Sequence, residues 1–157
     1  MKIIKALILC VAAFAVPAFA QDNSADTNMK ILLDKVKADK KLVVAANLEL
    51  SEAEAKAFWP AYDSYQKDLQ SINSRTGKVI LAYADAYNKK ALTDDVAKQL
   101  TNDALAIDQD ELNLRKTYAA KLNGVLPAVK VARYIQIENK IRAAIRYELA
   151  AGIPLVP

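Results

Sequence analysis

A single apolar series constrains this chain more than any other feature. Phe58, Tyr62, Tyr65, Leu69, Ile72, Val79, Tyr83 and Ala86 recur at alternating steps of three and four, with Thr76 filling the one gap. Such steps hold side chains on one helix face, close to the repeat of a packed seam. The run predicts one long helix. Its start is written in Ser51 and Glu54: the serine side chain can accept from the Glu54 amide while the glutamate reaches back to the Ser51 amide. At about 1.5 Å per residue, a helix over 52–88 is roughly 55 Å long. That is more than a compact chain of this size needs, so an elongated bundle of about four helices, built on long helical hairpins, is expected. Pro60 lies too deep for a first-turn proline and is expected to remove one backbone bond and bend the helix near its start. Gly77 is a second weak point.

From the beginning of the chain, Lys2 and Lys5 precede an apolar run over 6–16, then Pro17 and the small-residue pattern Ala18-Phe19-Ala20. This reads as a secretory signal peptide over 1–20, cleaved after Ala20. The run is short for a membrane span, and an uncleaved anchor is the competing reading. Cys10, the only cysteine, falls inside this leader and follows Leu9 rather than a small residue, which argues against a lipoprotein anchor. Residues 21–28 are polar and expected to be disordered, and 29–157 forms a single helical domain.

The mature chain has no cysteine and no histidine. That excludes disulfides, thiolate chemistry, Ser-His-Asp catalysis and the usual zinc and haem ligand sets. No cofactor motif is present, and an enzyme is not expected. The fold must rest on packing.

Charge is unevenly spread. Residues 21–114 hold 12 basic and 16 acidic side chains, a net of −4, whereas 115–157 hold 8 and 2, a net of +6. The basic C-terminal third is either a solvated face or a surface for acidic partners or anionic lipid, with membrane contact at most peripheral. Nucleic acid does not suit an exported protein.

Three further helices are expected. The first covers 29–46 with Ile31, Leu32, Val36, Leu42 and Val43 on its apolar side, ending near Asn47. The third opens at Thr93 with Asp94 and Asp95 in its first turn and carries Val96, Leu100, Ala104, Ile107, Leu114, Tyr118 and Leu122. Asn123-Gly124 suggests a left-handed terminator. Pro127 opens the fourth at a first-turn position, with Val131, Tyr134, Ile137, Ile141 and Ile145 on one face up to Gly152. Nothing alternates as a strand would, so the chain reads as all-α.

Two glutamates interrupt these stripes. Glu111 lies between Ile107 and Leu114, and Glu138 stands at heptad distance from Val131 and Ile145. If the third and fourth helices fold back about Gly124 and Val125, the two stand at equal height. Arg115 and Arg142 follow each by four residues, the spacing of a helical ion pair. A catalytic carboxylate pair and a carboxylate-bridged metal site compete with the leading reading, a structural ion-pair network of Glu111, Arg115, Glu138 and Arg142 that sets hairpin register. On that reading Glu138→Leu leaves stability unchanged or raises it. Candidate partner-binding residues are Phe58, Trp59 and Tyr62 in the aromatic knot, and Arg133, Arg142 and Arg146 in the basic third. Trp59, beside the stripe rather than on it, is the ring expected to be reachable.

An exported, cysteine-free chain of long helices, with Leu50-Ser51-Glu52-Ala53-Glu54 opening one of them, resembles the Spy/CpxP family of periplasmic proteins with LTxxQ motifs. Serine stands for the motif's threonine and Glu54 for its glutamine; Leu126-Pro127-Ala128-Val129-Lys130 occupies the place of the second motif. Phe58-Trp59-Pro60-Ala61-Tyr62, the run Ala132 to Lys140 and Ile153-Pro154-Leu155-Val156 are more like a group of uncharacterised proteobacterial exported proteins. The resemblance implies an elongated helical hairpin assembly, a homodimer in many members, located in the periplasm. It also implies that protein clients are held without ATP, or that envelope stress signalling is modulated. The alternative is a structural or regulatory helical module binding one specific envelope protein.

Overall fold

The structure, a computed structural model, describes residues 39–157. The expected leader over 1–20, the polar stretch over 21–28 and the first part of the first predicted helix lie outside the described residues. Four helical elements follow: α1 over 39–48, α2 Glu52–Asn88, α3 Asp94–Asn123 and α4 Ala128–Gly152. The described residues contain no strand. The chain is an all-α helical bundle, as the periodicity requires.

Its contacts fall into two compact units. One unit is Ser51–Val131 with Val156; the other, among the described residues, is 39–50 with Ala132–Leu155 and Pro157.

The first unit is a hairpin of α2 and α3. The reciprocal cap at its start is formed: the Glu54 N–H donates to Ser51 Oγ at 3.3 Å, and the Ser51 N–H donates to Glu54 Oε2 at 2.7 Å. The helix continues through Pro60, with the Ser64 hydroxyl donating to the Pro60 carbonyl at 2.9 Å. The predicted stripe faces inward. Phe58, Tyr62, Tyr65, Ile72 and Ala86 are buried, and Leu69, Thr76, Val79 and Tyr83 are half-buried. From α3, Ile107, Glu111, Tyr118 and Leu122 are buried.

Antiparallel register in this hairpin is held at three points. The Tyr118 hydroxyl donates to Asp68 Oδ2 at 2.7 Å, the Tyr65 and Tyr118 rings meet edge to face with centroids 5.3 Å apart, and Arg75 Nη1 pairs with Asp110 Oδ2 at 2.5 Å. Burial and the bond donated to Asp68 together raise the Tyr118 pKa above its ordinary value. Thr93 caps α3 by accepting from the Val96 N–H at 3.4 Å.

Left-handed backbone is not where glycine suggested it. Gly124 sits at φ −78°, ψ −13°, in the right-handed region. The amides of Gly124, Val125 and Leu126 continue to find carbonyls of Lys121 and Leu122, so the chain leaves α3 through a tightened last turn. Among the described residues the left-handed ones are instead Glu49 at φ 50° and Lys90 at φ 54°. At Lys90 the reason is clear: its N–H reaches the Tyr87 carbonyl and the Ala91 N–H reaches Ala86, the paired bonds that close a helix by a left-handed residue.

The second unit pairs α1 with the greater part of α4. Val44, Leu48, Tyr134 and Ile141 are buried. The buried face of α1 thus differs from the expected one: Leu42 is exposed, and Val44 and Leu48 point inward. Leu42-Val43-Val44 is an unbroken apolar run, so periodicity alone could not choose among its members.

Candidate protein-interaction surface

The two glutamates that broke the apolar stripes are both buried, each in its own unit: Glu111 in the hairpin and Glu138 in the α1/α4 unit. Glu138 Oε2 lies 2.8 Å from Lys40 Nζ, with the two side chains 5% and 13% exposed. Lys40 was not singled out from the sequence: it precedes Val44 and Leu48 by four and eight residues and so shares their inward face, but the run Leu42-Val43-Val44 does not show which face that is. Arg142 is half-buried and donates through Nη2 to Asn139 Oδ1 at 3.3 Å, and Arg115 is half-buried in the hairpin unit.

The aromatic candidates divide by depth. Phe58 is fully buried and Tyr62 nearly so, which makes both part of the hairpin core rather than surfaces a partner can touch in this conformation. Trp59 is half-buried and packs edge-on against them, with ring centroids 5.0 Å from Phe58 and 5.3 Å from Tyr62. Of this set only Trp59 offers a reachable edge.

Also in the hairpin unit, Lys130 Nζ lies 2.6 Å from Glu54 Oε2, the oxygen that already accepts from the Ser51 amide. That bond from Lys130, followed by the one from the Ser51 amide, lowers the Glu54 pKa from 4.5 to about 2. Sequence reasoning placed Glu54 in the cap but missed the lysine, because a contact between residues 54 and 130 leaves no local pattern.

The basic candidates belong to the other unit. Arg133 and Arg146 are exposed. The exposed charged residues of α4 are Arg133, Lys140 and Arg146; Glu138 is buried against Lys40, and Glu148 is half-buried. The face of α4 that turns outward reads Val129, Arg133, Gln136, Lys140, Ala143 and Tyr147, in steps of four and three. Val129 is 81% and Tyr147 74% exposed.

A cleft of about 200 Å³ opens on this unit, lined by Asn47, Glu49, Arg133, Gln136, Ile137 and Lys140 among others. Across it Arg133 Nη1 lies 3.6 Å from Glu49 Oε2, with both side chains largely exposed. The cleft combines the cations of Arg133 and Lys140, the amides of Asn47 and Gln136, the carboxylate of Glu49 and the apolar Ile137 and Ala46, a lining that suits recognition of polar and carboxylate-bearing chains. Among the described residues, no group of three or more acidic, histidine or cysteine side chains is placed to hold a metal, and no helix is long and apolar enough to cross a membrane.

No protein-family model matches the chain, and no curated protein or solved structure does.

Proposed function

We propose that this protein is a periplasmic, ATP-independent binder of other proteins, a chaperone-like or envelope-stress adaptor of the Spy/CpxP kind. The observation that carries the reading is the outward face of α4, where Arg133, Lys140 and Arg146 alternate with Val129, Ala143 and Tyr147. Cations steer an encounter and large apolar side chains hold it loosely. Leu81 and Leu105, both more than 60% exposed on the hairpin, extend the supply of adaptable contacts. The leader-like first 20 residues support export to the periplasm.

The test is suppression of aggregation of two unrelated denatured proteins by the purified mature chain, at low and high salt. Suppression of both that weakens with salt is expected, since exposed charge is screened over about 8–10 Å at physiological ionic strength. Failure with both would sink general client capture. The second reading, an adaptor for one envelope protein, is favoured by the cleft beside Arg133, because a localised set of charged and amide side chains suits one partner better than many.

A further inference from the structure

The geometry points to a specific occupant for the α1/α4 cleft: a helical, acidic protein segment whose carboxylates meet Arg133 and Lys140, with Glu49 acting as an internal competitor for the same site. This inference rests on the protein-binding reading above and gives the partner its chemistry.

Spacing sets the register. Arg133 and Lys140 are seven residues apart on α4, which places them on one face about 10.5 Å apart along the axis. Gln136 stands between them with an amide that can donate, and Ile137 supplies an apolar contact. A partner helix with glutamates at the same seven-residue repeat would present a carboxylate to each cation. The guanidinium of Arg133 can take one in a two-pronged bond. Charge points the same way, because every exposed charged side chain of α4 is positive.

Glu49 already occupies part of this site. Its carboxylate lies 3.6 Å from Arg133 Nη1, and the two side chains are 75% and 52% exposed. A pair so long and so solvated contributes little to stability. An incoming carboxylate can therefore replace it at small cost, while the protein without its partner keeps Arg133 partly neutralised. Glu49 also adopts φ 50°, a backbone region that side chains other than glycine, asparagine and aspartate rarely enter.

A protein helix fits better than an anionic bilayer. Beside its cations the outward face of α4 carries only two large apolar side chains, Val129 and Tyr147, with Ala143 between them in sequence, whereas surface insertion needs a broad face of bulky apolar side chains.

The experiment titrates the purified chain with a labelled helical peptide bearing glutamates at seven-residue spacing, read by fluorescence anisotropy. A scrambled peptide of equal charge, vesicles of phosphatidylglycerol and sedimentation of the chain alone run in parallel. The spaced peptide should bind more tightly than the scramble. Arg133→Gln with Lys140→Gln should weaken it about tenfold, as two pairs of roughly threefold each, and Glu49→Gln should tighten it about threefold. All three positions are exposed, and circular dichroism of each variant checks that the helices persist. Equal binding of spaced and scrambled peptides, or no gain from Glu49→Gln, overturns the proposal. So does preferential binding to vesicles, or self-association abolished by Lys140→Glu, which would make the occupant lipid or a second copy. If no peptide binds while aggregation of denatured proteins is still suppressed, the proposal alone fails; if both are lost, the protein-binding reading fails with it.

Discussion

The hairpin unit and the α1/α4 unit solve the same packing problem with different materials. The hairpin buries rings: Phe58, Tyr62, Tyr65 and Tyr118 fill the space between two long helices adjacent in sequence. The other unit joins segments separated by some eighty residues, and among its described residues sets a buried lysine-glutamate pair beside one buried ring, Tyr134, and the aliphatic Val44, Leu48 and Ile141. Rings in a hairpin draw stability from area removed from water. A buried ion pair largely offsets its own desolvation and fixes which segments meet, so it contributes specificity more than strength.

Four tests sharpen or break that contrast. Phe58→Ala should have the largest effect, about 4 kcal/mol lost in urea unfolding, because a fully buried ring leaves a cavity behind it. A loss under 1 kcal/mol would mean that the hairpin core collapses around the gap. Lys40→Met should cost about 3 kcal/mol by removing the cation that lies 2.8 Å from the buried Glu138 carboxylate. The double change Lys40→Met with Glu138→Leu should restore most of that loss. On this reading Glu138→Leu alone, which removes the carboxylate that Lys40 meets at 2.8 Å, should cost stability rather than leave it unchanged. If the double variant is no better than Lys40→Met, the pair supplies strength and the contrast fails.

The third test is pH. The Glu54 carboxyl is depressed from 4.5 to about 2 by Lys130 and the Ser51 amide. A group whose folded pKa lies below its unfolded one adds stability above the unfolded value and loses it as pH falls towards the folded value. Melting temperature should therefore drop between about pH 4.5 and pH 2, and it should drop less in Glu54→Gln. Parallel curves for the two proteins would remove the Glu54–Lys130 bond as a contributor. The smallest effect is a gain. A Cβ built at Gly77 meets nothing within 4 Å, so Gly77→Ala should raise stability by up to about 1 kcal/mol through helix propensity alone. A fall instead would show that α2 uses the glycine for close packing against something outside the described residues.

The same contrast separates what could be read in advance from what could not. Helix α2 was legible nearly to the residue: its reciprocal cap, its inward stripe and its end at Asn88 follow from chemistry within a few turns. The starts of α3 and α4 were legible for the same reason. The terminator at Gly124 was misread because glycine permits a left-handed turn without requiring one, whereas Lys90 accepts that backbone because two carbonyls there need donors. Phe58 and Tyr62 were placed on the right face, but face does not measure depth, and depth removed them from the candidate surface. Lys40, Lys130 and Glu49 were invisible as partners, since each meets a residue on a distant segment.

Fold class, most element boundaries and the absence of histidine chemistry were determined by the sequence itself, because helix periodicity, caps and side-chain inventory act over a few residues or over none. Which charges are buried, which cations remain at the surface of α4, and the cleft shared by Glu49, Arg133 and Lys140 were decided only in the tertiary structure. Coulombic partnership and solvent access depend on distance in space, and segments far apart in the chain carry no local record of where they meet.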